Sequence, residues 1–134
     1  MSYYLKLYAV TLVVFLVLDA IWLGLIAGSF YARHLGHVLR AHPQWWAALL
    51  FYLVFVTGVL VFVIVPGVRH DALGVTLVRA ALFGLVTYAT YDLTNLATIK
   101  DWPVVVTVVD LIWGTALSTG VCAAGVALGK WLGG

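Results

Sequence analysis

Four runs of apolar residues, at 7–27, 45–65, 75–97 and 104–126, decide most of what this chain can become. Each exceeds the roughly 18 residues that separate a membrane-spanning helix from a helix buried in a soluble core. The bilayer interior offers no water to an unpaired backbone group, so a spanning run must satisfy its own hydrogen bonds as a helix. Composition points the same way. Of 134 residues, 65% are hydrophobic and 9% charged, against about 45–50% and about 25% in soluble domains. A water-soluble globular domain is excluded, and so is intrinsic disorder, which needs low hydrophobicity and high charge. Cys122 is the only cysteine, so the chain cannot be a disulfide-stapled scaffold. A net charge of +2, scattered along the sequence, gives no basic face for nucleic acid. The expectation is an all-α integral membrane bundle of four transmembrane helices, one domain over 1–134, with the lipid bilayer as its surroundings.

The boundaries carry their own signals. Lys6 precedes the first run as in a signal peptide, but that run is too long for an h-region, holds Asp19 and lacks a small-x-small cleavage site, so it reads as a retained helix. Pro43 lies just before the second helix, Pro66-Gly67 is expected to end it, and Trp102-Pro103 to open the fourth. Trp45, Trp46, Trp102 and Trp131 fall at expected helix ends, where an aromatic belt belongs. In the segment 29–41, Tyr31, Leu35, Val38 and Leu39 share one face at helical spacing, with Arg33, His37 and Arg40 opposite. That pattern suits a short interfacial helix, with an irregular loop as the alternative. Lys6, Arg69, Arg79 and Lys130 fall on the side of the termini, and Arg33, Arg40 and Lys100 on the other, a split too even for the positive-inside rule to orient the chain.

There is no Glu, and of five Asp, Asp71 and Asp101 lie in connections. Asp19, Asp92 and Asp110 lie inside helices, where each costs about 2.5–3.5 kcal/mol on insertion scales. Asp19 falls just past the middle of the first run, Asp92 well past the middle of the third, and Asp110 before the middle of the fourth. Since the fourth helix runs opposite to the other two, all three carboxyls fall in one half of the bilayer, about 3–9 Å from its midplane at 1.5 Å per residue.

Their neighbours are polar or aromatic. Tyr88, Asp92 and Asn95 follow i, i+4, i+7 spacing with Tyr91 beside them; Thr107, Asp110, Gly114 and Ser118 form a stripe with Trp113 adjacent; Phe15, Asp19 and Trp22 share a face. Polar stripes in lipid must face one another or a water-filled cavity. The second run has no ionisable group but Tyr52 and is expected to pack on the outside. Few bases can reach the acids: Arg79 begins its helix at the opposite surface, and Lys100 lies eight residues, about 12 Å, beyond Asp92. Asp19, Asp92 and Asp110 are therefore the candidate catalytic groups, with Trp22, Tyr88, Tyr91, Asn95 and Trp113 as candidate ligand contacts. A carboxyl network that only ties helices together is the plainer reading, though interhelical hydrogen bonds in membranes average only about 0.6 kcal/mol.

Val17 to Trp22 and Val108 to Trp113 share the pattern V-x-D-x-I-W, which an inverted repeat would leave and which chance also leaves in so biased a composition. The stretch Tyr91-Asp92-x-Thr94-Asn95-x-Ala97-Thr98-x-Lys100-Asp101-Trp102-Pro103, followed by Val109-Asp110 and Trp113-Gly114, resembles the signature of a family of small bacterial inner-membrane proteins of unknown function. Leu18-Asp19, Trp22 to Gly24 and Phe30-Tyr31 fit the same pattern, so the resemblance runs through nearly the whole chain. It implies four helices and a multi-pass place in a bacterial inner membrane. It implies no reaction, substrate or cofactor.

Two functional readings follow. One is a cavity open to a single leaflet, in which the carboxyls, Tyr and Asn bind or act on an amphipathic, lipid-like molecule. The other is a proton- or cation-coupled transporter, which at this size would need a homodimer. Gly24-x-x-x-Gly28 and Gly125-x-x-x-Gly129 permit close helix approach, but the half of the bundle away from the acids is nearly all apolar. A purely structural subunit is the remaining alternative. His34, His37 and His42 cluster in the first connection, yet only His34 and His37 share a helical face, so the spacing is a poor metal site. No phosphate loop, Cys-x-x-Cys or Ser-His-Asp order indicates a cofactor or a nucleophile.

Overall fold

The computed structural model describes residues 2–133. Helix α1 (Ser2–Ile21) continues through a π-helical turn, Trp22–Ile26, and after a break at Ala27 the chain forms α2 (Gly28–Leu35). The second crossing is α3 (Trp45–Val59), a second π-helical turn at Leu60–Ile64, and α4 (Val65–Arg69). Helices α5 (Leu73–Thr98) and α6 (Val104–Gly133) complete the bundle. Four helical stretches, Ser2–Ile26, Trp45–Arg69, Leu73–Thr98 and Val104–Gly133, are long and apolar enough to cross a membrane. The described residues hold no strand. This is an all-α, multi-pass membrane protein.

Pro66-Gly67 does not end the second crossing, contrary to expectation. A proline inside a helix lacks the N–H donor, and its ring strikes the carbonyl four residues back. The π-helical turn removes both objections. It widens the helix so that the Val65 N–H bonds five residues back to Leu60, and Pro66 enters in the first turn of a new segment, where no donor is required. The segment closes when the N–H groups of His70 and Asp71 both bond the Pro66 carbonyl, at 2.9 and 3.0 Å.

Helix α6 is the central post, packing along α5 and against α1 and α4. It buries Gly114, Ser118, Val121, Cys122, Gly125 and Gly129 at three- and four-residue spacings. In lipid there is no hydrophobic drive between helices, so association rests on close contact, which small residues permit. A Cβ on Gly84 would lie 2.3 Å from the Gly114 carbonyl oxygen, and one on Gly114 would lie 2.2 Å from the Tyr88 ring. Helices α5 and α6 therefore cross where neither tolerates a side chain. Gly125 and Gly129 are used within the chain, against Ile64 and Val68, so they are not a free dimerisation face.

The second crossing is not peripheral either. Phe55, Val56, Val59, Val63 and Ile64 are buried in the same core as Leu7 and Phe15 of α1. Lipid and protein interior are equally apolar, so a lack of ionisable groups does not distinguish a helix facing one from a helix facing the other.

The two ends of the bundle differ. At one, Asp71 pairs with Arg79 at 2.9 Å and with His70 at 3.1 Å. Beside them the Arg69 guanidinium donates to the Tyr4 hydroxyl and lies over its ring. At the other, Leu35, Trp102 and Val106 make a small apolar cluster with Phe30, Tyr31 and Leu96 around it. Trp45, Trp46 and Trp131 are exposed, as an aromatic belt requires, but Trp102 is only 7% exposed. Its connection turns on Asp101, whose φ of 61° lies in the left-handed region that Asp tolerates better than most side chains. The Trp102 indole Nε1 donates to Thr107 Oγ1 at 3.1 Å. In the segment 29–41 helix persists only through Leu35, and Arg33, His37 and Arg40 are exposed.

Candidate functional site

The acids stand on three helices. Asp92 of α5 is wholly buried, and neither of its carboxyl oxygens has a hydrogen-bond partner. The carboxyl of Asp110, on α6, stands beside it. Asp110 accepts a hydrogen bond from the Tyr31 hydroxyl, which in turn accepts one from Trp22 Nε1 at 3.0 Å. That relay ties the π-helical turn after α1, the short helix α2 and the central helix α6 into one unit. Burial, and then the bond to Asp110, hold the Tyr31 hydroxyl above the ordinary tyrosine range, so it remains a protonated donor. Asp19 of α1 is half-buried and accepts from the Tyr52 hydroxyl of α3 at 3.4 Å.

The chain gains this arrangement through a tight reversal. The Ala27 N–H bonds the Trp22 carbonyl at 2.7 Å, closing the π-helical turn. A Cβ at Gly28 would sit 2.3 Å from the Leu23 carbonyl oxygen, so only glycine lets α2 start this close. Helix α2 then turns Tyr31 and Leu35 towards the bundle. The Trp22 and Trp113 rings stack, centroids 4.3 Å apart and planes 5° from parallel.

Two adjoining hollows open here. One, of about 490 Å³, lies among Phe51, Thr87, Tyr88, Tyr91 and Asp110. The other, of about 360 Å³, has an aromatic wall of Trp22, Tyr31, Tyr88, Tyr91 and Trp113, with Asp19 and Asp110 also on its lining. Tyr88, Tyr91 and Asp110 border both. The volumes fall within the range of small-molecule sites, about 300–1,000 Å³. Among the described residues every ion pair belongs to Asp71, so none of the three intramembrane acids is matched by a base.

Residues 4–127 match the family described as "Predicted membrane protein (DUF2177)". The chain belongs to that family. Neither the curated proteins nor the solved structures contain a match to it. The matched region of this DUF2177 protein takes in all three intramembrane acids, from the first turns of α1 to near the end of α6. The description gives membrane residence without an activity, so any assignment rests on geometry.

Six of the eight residues singled out in the sequence, Asp19, Trp22, Tyr88, Tyr91, Asp110 and Trp113, line one hollow of the DUF2177 bundle. Asp92 adjoins it only through Asp110, and Asn95, a turn along α5 from Tyr91, lines neither hollow. His34 Nδ1 lies 2.9 Å from the Phe30 carbonyl oxygen, and His37 is exposed. Among the described residues no three His, Cys, Asp or Glu side chains gather at metal-binding distances. Sequence reasoning passed over Tyr31 and Tyr52 as site residues. The available signal was the shared face of Tyr31 and Leu35, which turns inward rather than to lipid, and the isolation of Tyr52 as the one ionisable group of its helix.

Proposed function

We propose that this DUF2177 protein takes a small amphipathic or lipid-like molecule into a cavity open to one leaflet of a bacterial inner membrane. The observation that carries the reading is the position of Asp110. It borders both hollows, accepts the Tyr31 hydrogen bond, and has the unpartnered carboxyl of Asp92 at its side. Two carboxyls so placed can pass a proton to or from a bound molecule, the ordinary work of a general acid or base. Trp22, Tyr88, Tyr91 and Trp113 serve as its apolar walls, Asp19 as a second acid across the hollow, and Asn95 as an outlying polar group.

The far half of the bundle supports a one-sided cavity rather than a path to both surfaces. Leu7, Phe15, Leu117, Val121, Cys122 and Val126 are close-packed there and almost wholly buried. The exposed Arg33, His37 and Arg40 suit α2 lying at the headgroup level beside the opening.

Native mass spectrometry of the protein released from nanodiscs tests the reading. Wild type is expected to retain a lipid-like molecule, and Asp110→Asn and Tyr91→Ala to lose most of that occupancy while still folding and melting cooperatively. Equal retention by all three would mean that the acids only tie helices together. Proton-linked solute uptake into reconstituted vesicles would overturn the one-sided cavity.

A further inference from the structure

We infer that the cavity selects an organic ammonium group, carried on an amphipathic molecule, over neutral or anionic heads; this rests on the reading above, that the hollow beside Asp110 binds a ligand. The first support is charge. Asp19 and Asp110 both face the hollow, and no Lys, Arg or His among the described residues lies within ion-pair distance of either. A buried carboxylate is normally paired, and truncating its partner is costly. Each accepts a tyrosine hydroxyl, Tyr52 at Asp19 and Tyr31 at Asp110, but neither has a cationic partner among the described residues, so a cation from outside completes them.

The second support is independent of the first. Asp92 is wholly buried beside Asp110 with both oxygens unpartnered. A buried acid left in this state calls for an explanation, and a cation beside Asp110 supplies one.

The third support is the wall. Five aromatic rings, Trp22, Tyr31, Tyr88, Tyr91 and Trp113, surround the two acids. Aromatic faces attract cations through the ring quadrupole, and cages of such rings recognise ammonium groups. The Trp22–Trp113 stack holds two of the rings in place before anything binds. An inorganic cation fits worse. A hard cation wants oxygen ligands or retained water around it, whereas no three acid or histidine side chains converge here and the lining is aromatic. The ammonium can belong to a lipid headgroup or to a free amphipathic amine, since the chemistry is shared.

The test uses the full chain in phosphatidylglycerol nanodiscs, with dodecylammonium, dodecyltrimethylammonium and dodecanol added below their micelle-forming concentrations. Binding is read from tryptophan fluorescence. Both ammonium probes are expected to bind at least about tenfold more tightly than dodecanol, a difference of about 1.4 kcal/mol. Asp19→Asn combined with Asp110→Asn should reduce that preference to within about threefold, since carboxylate attraction from the lining is then gone and only the ring contribution is left. Asp110→Glu, which keeps the charge, should retain the preference. Competition by phosphatidylethanolamine added to the nanodiscs would support the inference with a lipid headgroup as the source. Ammonium preference without such competition would support it with a free amine. Dodecanol binding as tightly as the ammonium probes, or a preference that survives both Asn substitutions, overturns the cation while leaving the cavity reading intact. No binding by any probe to protein with a normal melting transition overturns the cavity reading itself, and the cation with it.

Discussion

Trp22 and Trp113 lie face to face, 4.3 Å between ring centroids and 5° between planes. They are also the equivalent residues of the two V-x-D-x-I-W segments, on α1 and its π-helical extension and on α6. Those helices pack on each other and run in opposite directions. The tryptophans of the two segments meet, and their aspartates, Asp19 and Asp110, border the same hollow. Whatever its origin, the echo in the sequence is a physical pairing in the fold.

Indoles stacked at 4.3 Å interact electronically, so the pair should contribute its own tryptophan signal to the circular dichroism. Trp22→Phe and Trp113→Phe should each abolish it, and the double substitution should remove nothing more. The stack is worth about 0.5–1.5 kcal/mol beyond its burial, so each single variant should also melt a few degrees lower. A pair signal that survives either substitution would place the two rings apart.

Tyr31→Phe tests the relay from Trp22 to Asp110. It leaves the Trp22 N–H and an Asp110 oxygen without their partner, and such losses cost about 1–3 kcal/mol. Combined with Asp110→Asn, the two effects should fall short of their sum, because they break one shared interaction. There is a pH signature with a definite sign. Burial, and then the bond to Asp110, raises the pKa of Tyr31 in the fold above its unfolded value. Its contribution to stability is therefore full below about pH 10 and is lost as the pH climbs beyond that, when the unfolded chain ionises more readily. Tyr31→Phe should flatten part of that alkaline loss in a series of thermal melts.

The crossings were legible because an apolar run of that length has few other uses, and the acids were legible because they are exceptions to it. What escaped the sequence shares one cause. A segment beside a membrane can bury an apolar face in lipid or in protein, and residue type does not distinguish the two. Tyr31 and Leu35 of α2, Trp102 at its connection and the whole inner face of α3 turned to protein. The passage of the helix through Pro66 was hidden for a different reason. The π-helical turn that relieves the proline is made of Leu60 to Ile64, ordinary apolar residues with no sign of it in their order.

Asp71→Asn provides a contrast at the opposite end. It removes the 2.9 Å pair with Arg79, whose side chain is half exposed, and solvent screening limits such pairs to about 0.2–1 kcal/mol. The loss should shrink further in high salt. Asp92 lies 19 residues along α5 from Leu73, about 28 Å at 1.5 Å per residue, so ammonium-probe binding should not change. A change in that binding would mean that the two ends of the bundle are coupled.

Glycine substitutions in α5 should move stability in opposite directions. A Cβ at Gly84 meets the Gly114 carbonyl oxygen at 2.3 Å and Ser118 Cβ at 2.6 Å, both attached to backbone that cannot yield cheaply. Gly84→Ala should force α5 and α6 apart and cost about 1–3 kcal/mol or more. A Cβ at Gly74 meets nothing within 4 Å, and alanine is the better helix former by up to about 1 kcal/mol, so Gly74→Ala should be neutral or stabilising. Gly114→Ala should reach the cavity as well, because its Cβ would drive into Tyr88, which borders both hollows. The expected order of melting temperatures is Gly74→Ala at or above wild type, with Gly84→Ala and Gly114→Ala well below, and with probe binding weakened most in Gly114→Ala. If Gly84→Ala melts with wild type, the two helices do not make the close crossing that positions Tyr88 against Asp110.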